Sequence, residues 1–266
     1  MIPTMNTPTL TPLTHLTVLE LTGDDAETFL QAQVPSDVRL VTADHAQISG
    51  WCTAKGRLLT TFVLLRSDNG YRMILASDVA ESVAKRLKMF VLRLKVQITQ
   101  LDDVVAGLLN PASHLGNLKL PTATWQVTHA PGLTAIRLDD SRILLTGASG
   151  ALEREANGTT TAPTEAWLRA DIEQGFPLVA RATSELFVPQ MINLDKLGGV
   201  SFKKGCYPGQ EIVARTHYLG KIKRHLYRVR ALQPLTAGTD VRSEALNGQS
   251  GGSLLSTASD ESGQHW

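Results

Sequence analysis

The sequence predicts an α+β fold, in which helices and strands mix without the regular alternation of a doubly wound parallel sheet. Three observations predict it: apolar residues recur at helical spacing after acidic residues, β-rich runs come in pairs around turn sequences, and short strands dominate the C-terminal part. The chain has 266 residues, of which 42% are hydrophobic and 19% charged. This composition is typical of a folded protein and excludes a largely disordered one.

Two helices are predicted in the N-terminal half. Asp24 and Glu27 have the form of a capping box before a helix from about Asp25 to Gln33. Asp78 and Glu81 repeat this pattern ahead of a second apolar stripe of helical spacing. We therefore expect both helices to be capped by their own acidic side chains.

Two hairpins are predicted between and after these helices. The runs Leu58 to Leu65 and Tyr71 to Ala76 flank a turn sequence, and Val96 to Leu101 adds a further strand. Thr134 to Leu138 and Arg142 to Thr146 form the second pair around an Asp-Asp-Ser turn.

The remaining elements lie toward the ends of the chain. Pro163 begins a predicted helix that Gly175 ends. The Thr- and Pro-rich segment from Met1 to Leu13 predicts a short disordered leader. From residue 224 onward, Gly, Ser, Thr and Pro separate short runs, and the alternation from Leu226 to Leu232 predicts a strand of a small all-β module.

Charge and cysteine content narrow the class of protein. The net charge is +1, which argues against a general nucleic-acid coat. Cys52 and Cys206 are the only cysteines and form no CxxC motif, so a reducing, cytoplasmic location is expected. No apolar run is long enough for a membrane span. Dinucleotide, P-loop, α/β-hydrolase and zincin motifs are absent.

Cys206 lies in the most unusual segment of the chain. Lys203 and Lys204 precede it, and the turn pair Pro208-Gly209 follows it before a predicted helix. Nearby cations and a helix N-terminus both favour a thiolate. The alternative is a small structural cysteine that fills a gap in the core.

A basic stretch runs from residue 203 to residue 230, with Glu211 as its single acid. It is suited to a polyanion such as a phosphate backbone or a polycarboxylate tail, and its alternative is an ordinary solvated face. Tyr207, Tyr218 and Tyr227 keep RNA binding open, but they form no repeated stacking motif, so direct RNA binding is not favoured.

Glu173 occupies an unfavourable position in the last turn of its predicted helix, where the helix dipole disfavours an anion. Its carboxylate could accept two hydrogen bonds from a heterocycle rich in N–H groups. The alternative is a solvated glutamate, for which the position costs little.

Residues 204–211, KGCYPGQE, closely resemble the K-G-C-[FY]-x-G-Q-E signature of the YgfZ family, which is related to the glycine-cleavage T-protein. The likeness covers roughly residues 15 to 230. Its further blocks are Gln31 to Val34, Asp37-Val38, Trp51-Cys52, Lys55 to Arg57, Phe187 to Gln190, Asn193-Leu194, Gly198 to Lys203 and Val213 to Arg215.

The resemblance implies a ring-like arrangement of mixed α/β subdomains with tetrahydrofolate, or a derivative, in a central hole. Residues 14–223 would form the folate-binding region, with 46–105 as a subdomain, and residues 224–266 a short β-barrel-like module. The implied function is to support assembly or repair of iron–sulfur clusters in client enzymes, tRNA-modifying enzymes among them.

The resemblance also implies roles for individual residues. Glu173 falls at the position of the glutamate that holds the pterin N–H groups in the T-protein. Further candidate folate-binding residues are Lys204, Tyr207, Gln210 and Arg215. Cys206 becomes the candidate for thiol chemistry near the folate or for transient metal ligation.

One departure concerns the T-protein's own reaction, folate-dependent aminomethyl transfer. That relative depends on an aspartate in a strand where this chain has residues 56–61, GRLLTT, which include no carboxylate. A hydroxyl does not carry charge near neutral pH and is a poor substitute for that acid. Aminomethyltransferase activity is therefore the disfavoured alternative.

Overall fold

The computed structural model describes residues 7–266 except 221, 223, 243–246, 260 and 261. The helices in these ranges are α1 (Ala26–Gln33), α2 (Ser77–Val91), α3 (Ser149–Glu155), α4 (Thr164–Gln174) and α5 (Gln210–Tyr218), with short 3₁₀ helices at Val38–Leu40, Arg181–Thr183 and Pro189–Ile192. The strands are β1 (Thr9–Pro12), β2 (Leu16–Thr22), β3 (Gln47–Cys52), β4 (Leu58–Ser67), β5 (Gly70–Ala76), β6 (Gln97–Leu101), β7 (Val104–Leu109), β8 (His114–Leu115), β9 (Leu118–Lys119), β10 (Val127–Ala130), β11 (Leu133–Asp139), β12 (Arg142–Gly147), β13 (Thr160–Thr161), β14 (Asp240–Arg242) and β15 (Ser250–Ser253). The predicted α+β class is confirmed.

Two sheets organise the molecule. One is five-stranded and antiparallel, in the order β3-β4-β5-β2-β6, and the other is six-stranded, in the order β10-β11-β12-β7-β1-β13. The chain starts the six-stranded sheet with β1, builds the whole five-stranded sheet, and then returns with β7 to pair with β1. β2, which precedes the range 46–105 that the resemblance implies for a subdomain, lies between β5 and β6 in this sheet.

Apolar side chains on both faces of the five-stranded sheet form two cores. On one face α1 and α2 pack through Phe29, Val83 and Leu87. On the other, Val63 and Ile74 meet side chains of the six-stranded sheet. Full burial of each such side chain stabilises the fold by about 1.5–3 kcal/mol. These cores hold the ends of α1 and α4 in place, and the candidate site is built on those ends.

Most of the predicted elements are present close to their expected bounds. The helices α1 and α2, the hairpins β4–β5 and β11–β12, the strand β6 and the helix α4 all form. Gly175 ends α4 in the left-handed conformation with φ 64°. In none of the described helices is an apolar stretch long enough to cross a bilayer.

The two capping boxes are wrong. Neither α1 nor α2 has a side-chain cap. Asp24 instead pairs with the Nζ of Lys95 at 2.9 Å, and the carboxylate of Asp78 accepts a hydrogen bond from the Arg181 backbone N–H at 3.1 Å. Partners that are distant in sequence therefore take the carboxylates that a local motif would use.

The predicted N-terminal leader is wrong for residues 9–13. Thr9–Pro12 form β1, which is antiparallel to β7 and parallel to β13, and Leu13 is fully buried. The strand depends on hydrogen-bonding partners far along the chain, so its local composition gave no sign of it. Residues 1–6 lie outside the described part of the chain.

The predicted strand from Leu226 to Leu232 is also wrong. This segment has no strand pairing beyond a single bridge between Ala231 and His265. Residues 224–229 instead line a cavity in succession, without the alternation of faces that a strand would show. In the described residues after 220, the only sheet is the pair β14–β15.

Candidate functional site

The segment around Cys206 forms a tight loop between the core and solvent. Cys206 is exposed, while the neighbouring Lys204 and Tyr207 are buried. Gly209 has φ 84°, and a Cβ there would lie 2.4 Å from the Thr53 carbonyl oxygen and 2.7 Å from the Gly56 Cα. Only glycine fits such a close approach. The loop is thus held against the turn after β3.

Lys204 fastens this loop to the end of α1. Its ammonium donates hydrogen bonds to the carbonyl oxygens of Gln31 at 2.5 Å, Val34 at 2.6 Å and Ser36 at 3.0 Å. These carbonyls stand at the negative end of the helix, where a cation is favoured. Burial lowers the pKa of Lys204 to about 8. All three N–H groups are engaged, so we leave Lys204 out of the proposed ligand set.

Replacing Lys204 by Met should lower the free energy of unfolding by about 1–3 kcal/mol, because buried carbonyl groups would lose their donor. Urea unfolding would measure this loss. Lys203→Met is the matched control, since Lys203 is exposed and should change stability by less than about 0.5 kcal/mol. Equal losses of stability in the two variants would contradict a stabilising role for the hydrogen bonds of Lys204.

The two cysteines have opposite surroundings. Cys52 is buried at the end of β3, and burial raises the pKa of its thiol to about 12. Exposed Cys206 is the thiol that a partner molecule can reach. Near its loop, Phe202 stacks on His217 with ring centroids 3.7 Å apart. In the described ranges, no group of three His, Cys, Asp or Glu side chains could hold a metal ion.

A cavity of about 590 Å³ lies between the end of α4 and the C-terminal module. This volume is in the range of small-molecule sites, about 300–1,000 Å³. Its polar and aromatic lining includes Asp171, Glu173, Gln174, Asn193, Arg224, His225, Tyr227, Arg228 and Trp266.

Glu173 lines this cavity with its side chain 36% exposed. Its Oε1 accepts a hydrogen bond from the Nε of Arg169 at 2.9 Å, and the Arg169 guanidinium lies 5.0 Å from the ring centre of Trp266. A half-exposed pair of this kind holds the carboxylate weakly. Glu173 is therefore positioned to exchange solvent for a ligand in the cavity.

Asn193 supplies a second acceptor that the sequence analysis did not assign. It ends the Pro189–Ile192 helix in the left-handed conformation, φ 58°, and lines the same cavity. Its Oδ1 is buried and accepts no hydrogen bond from any described residue. A buried acceptor without a donor is costly, so a rotation of the Asn193 side chain that brought its Oδ1 to a ligand N–H in the cavity would be favoured. The signal in the sequence was its place in the Asn193-Leu194 block.

Basic side chains line another part of the cavity wall. Arg224, His225 and Arg228, all exposed, belong to the segment that leads into the C-terminal module. The cavity thus offers acceptors at Glu173 and Asn193 and cations elsewhere. Such a lining fits a ligand with an N–H-rich ring and a carboxylate tail.

A buried ion pair lies behind Glu173, at the base of α4. Arg142 is 1% exposed; its Nη1 hydrogen-bonds to the Asp171 carboxylate and its Nη2 lies 2.7 Å from Asp139 Oδ2. Burial raises the pKa of Asp171, and the Arg142 cation opposes that shift. The guanidinium also lies 5.3 Å from the Trp167 ring centre. The pair fixes the turn of α4 that carries Glu173.

The structure divides the predicted site residues into two groups. Glu173 lines the cavity, whereas Lys204, Cys206, Tyr207, Gln210 and Arg215 do not. The loop of Cys206 lies outside the cavity that Glu173 lines, and a position of Cys206 near a bound folate stays a prediction.

The two groups are nevertheless linked through the 3₁₀ helix Pro189–Ile192. Met191 and Ile192 face the cavity, while the Nε2 of Gln190 donates a hydrogen bond to the Val213 carbonyl in α5 at 2.7 Å. One short helix thus contacts both the cavity and the element that follows the Cys206 loop.

The strand position that lacks the T-protein's acid has a structural role here. Thr60 and Thr61 are buried, and their hydroxyls donate hydrogen bonds to the carbonyls of Val179 at 3.1 Å and Pro177 at 2.9 Å. These bonds join β4 to the segment that follows α4. Both hydroxyls are thereby committed to the backbone and not to a reacting group.

Comparisons with known proteins agree with the resemblance and the fold. No family model matches the chain. The tRNA-modifying protein YgfZ of Escherichia fergusonii is 35% identical over 231 residues, which cover 82% of this chain and 71% of that protein. Its namesake from Sodalis glossinidius is 33% identical over 273 residues, covering 97% and 83%. The solved glycine cleavage aminomethyltransferase T from Bartonella henselae matches with a TM-score of 0.71 at 14% identity, covering 97% of this chain and 77% of that one, and shows the fold alone. The predicted T-protein-like fold is thus confirmed.

Proposed function

The chain belongs to the YgfZ family, and from this premise and the cavity we propose that it is a cytoplasmic, tetrahydrofolate-binding accessory protein. It supports assembly or repair of iron–sulfur clusters in client enzymes, tRNA-modifying enzymes among them. The observation that carries the proposal is that Glu173 and Asn193 line one cavity together with Arg224 and Arg228.

The residues present fit a reduced folate. Glu173 would accept hydrogen bonds from the amino and ring N–H groups of the pterin, and Asn193 would accept another. Arg224 and Arg228 would attract the carboxylates of the glutamyl tail. Hydrogen bonds in which one group is ionised are stronger than those between neutral groups. Bound in this way, the folate would supply either a one-carbon unit or a redox-active pterin ring to the site.

Cys206 would act on the outside of the protein, toward the client. It is exposed and sits on a loop that Lys204 and Gly209 hold in one conformation. A fixed, exposed thiol suits brief contact with a client's iron or sulfur atoms, which are the cargo of the reaction. The Pro189–Ile192 helix gives folate binding a physical route to this loop.

Aminomethyl transfer is the second candidate, and only the fold similarity favours it. The residues at the acid's position, Thr60 and Thr61, are buried and bonded to backbone carbonyls. No carboxylate is present there to position or activate the folate nitrogen. A glycine-cleavage assay with a lipoyl carrier should therefore form no methylenetetrahydrofolate.

Replacing Cys206 by Ser should separate the two parts of the proposal. We expect the variant to bind 5-formyltetrahydrofolate as tightly as the wild type, because Cys206 does not line the cavity. It should fail to restore cluster content and tRNA modification in cells that lack the native gene. Calorimetry and nucleoside analysis would measure the two effects. Full restoration by Cys206→Ser would make Cys206 structural and reject its role.

A further inference from the structure

The end of α2 and the turn that follows it expose large apolar side chains. Met89 is 63% exposed, Phe90 46%, Leu92 87% and Leu94 38%. We call residues 85–95 the α2 end surface. The Phe90 ring packs edge-on against Trp51, with ring centroids 6.2 Å apart. Scattered apolar residues on a surface need no explanation, but Met89, Leu92 and Leu94 lie within six positions and form a patch of the kind that marks an interaction site.

Leu92 adds a second observation. Its backbone has φ 51° and ψ −107°, a conformation that is unfavourable for a residue with a branched side chain. Strain of this kind costs about 1–3 kcal/mol and concentrates at functional positions. Here it places a leucine in water, so burial of Leu92 within the chain does not compensate for it. Burial of the Leu92 side chain against a partner would compensate for the strain.

The α2 end surface is also strongly basic. It contains Lys85, Arg86, Lys88, Arg93 and Lys95, and the sequence has no acid from residue 82 to residue 101. The Nη1 of Arg86 lies 3.7 Å from the Oε1 of Glu185. The Nζ of Lys95 lies 2.9 Å from the Oδ2 of Asp24. In the part of the chain that the structure describes, Lys85, Lys88 and Arg93 form no ion pair.

The helical spacing brings these groups together on one side of α2. Lys85, Lys88 and Met89 share a face, at steps of three and four residues, and Leu92 follows just beyond the helix. Val83 and Leu87 lie on the opposite, buried face. Met89 and Leu92, which we call the apolar anchors, are thus bordered by cations. This is the arrangement of a hydrophobic interface centre with a charged rim.

We propose that the α2 end surface docks a partner protein that presents an apolar hollow bordered by Asp and Glu side chains. The apolar anchors would fill the hollow, and Lys85, Lys88 and Arg93 would pair with its acidic rim. Complementary charge would mainly raise the association rate and the specificity, while the buried anchors would supply most of the affinity.

Other occupants fit less well. Asp24 and Glu185 are paired with Lys95 and Arg86 beside the surface, so its charge is not uniformly positive, as binding of an anionic lipid or a phosphate backbone favours. A protein can place its carboxylates opposite Lys85, Lys88 and Arg93 alone. A second copy of the chain would bring two basic surfaces together. A protein with an acidic rim therefore remains the favoured occupant.

The full chain can be tested with a defined probe, an amphipathic peptide of about 18 residues that presents Leu on one face and Glu around it. We expect the peptide to bind and to lose at least tenfold in affinity toward Met89→Ser/Leu92→Ser and, separately, toward Lys88→Glu/Arg93→Glu. The same peptide with Lys in place of Glu should not bind. Fluorescence anisotropy would measure each case.

The changed positions are exposed, so circular dichroism and the melting temperature should match the wild type, and so should the affinity for 5-formyltetrahydrofolate. Equal binding of the Glu and Lys peptides, or binding that both double variants retain, would overturn the proposal. It would likewise be overturned if the variants instead lost binding to phosphatidylglycerol vesicles or to an oligouridylate, or if they abolished self-association in sedimentation velocity.

Discussion

Replacing Glu173 by Ala should weaken binding of 5-formyltetrahydrofolate by about tenfold to a hundredfold. The variant would leave pterin N–H groups without their carboxylate acceptor, at a cost of about 1–3 kcal/mol. Isothermal titration calorimetry would measure the loss. Stability should fall by less than about 1 kcal/mol, because the ion pair of Glu173 with Arg169 is half-exposed.

Glu165→Ala is the matched control for this experiment. Glu165 lies in the first turn of the same helix, is exposed, and does not line the cavity. Its removal should leave the folate isotherm unchanged. Glu173→Gln should resemble Glu173→Ala, since an amide presents a donor where the ligand also has donors. An unchanged isotherm for both Glu173 variants would remove the folate site from this cavity.

Replacing Arg142 by Met should lower the free energy of unfolding by about 3–5 kcal/mol. Arg142 is 1% exposed, and its loss would leave the buried carboxylate of Asp171 without its cation. Urea unfolding would measure the change. A second variant, Arg142→Met/Asp171→Leu, should recover most of the loss, because apolar replacement of both members of a buried pair is often neutral.

The same variant should show a characteristic pH dependence. Loss of the cation raises the pKa of Asp171 further in the folded state, and the unfolded chain ionises near pH 4. In the folded wild type the pKa of Asp171 is already raised to about 7, so below pH 7 the acid is protonated in both folded proteins and the penalty should stay nearly constant. The penalty should grow as the pH rises above 7, toward the higher pKa of Asp171 in the variant. Arg39→Met is the control: its pair with Asp37 is 60% exposed on the arginine side and should cost about 1 kcal/mol or less. A loss in Arg142→Met that did not vary with pH would contradict an uncompensated carboxylate.

The sequence predicted those elements whose signal is local. Apolar stripes located α1, α2 and α4, and turn residues between β-rich runs located the hairpins β4–β5 and β11–β12. Elements that depend on distant partners were missed. β1 gains its hydrogen bonds from β7 and β13, and the carboxylates of Asp24 and Asp78 are taken by Lys95 and the Arg181 backbone.

The same difference between local signals and distant partners applies to the candidate site residues. The position of Glu173 in the last turn of its helix was predicted correctly. The cavity around it could not be predicted, because its lining comes from segments near residues 190, 225 and 266 that are far apart in the sequence. The resemblance implied that Lys204 binds folate, whereas its burial and its three carbonyl partners are visible only in the structure. Asn193 was overlooked as an acceptor, since an orphaned oxygen is a property of three-dimensional packing.

The place of β1 between β7 and β13 has a consequence for how the protein is made. During translation β1 emerges first, yet its two neighbours, β7 and β13, follow only after the entire five-stranded sheet has been synthesised. Until then its backbone has only water to bond with on both sides. The five-stranded sheet can therefore form during translation, whereas the six-stranded sheet can form only when β1 pairs with strands that are synthesised much later.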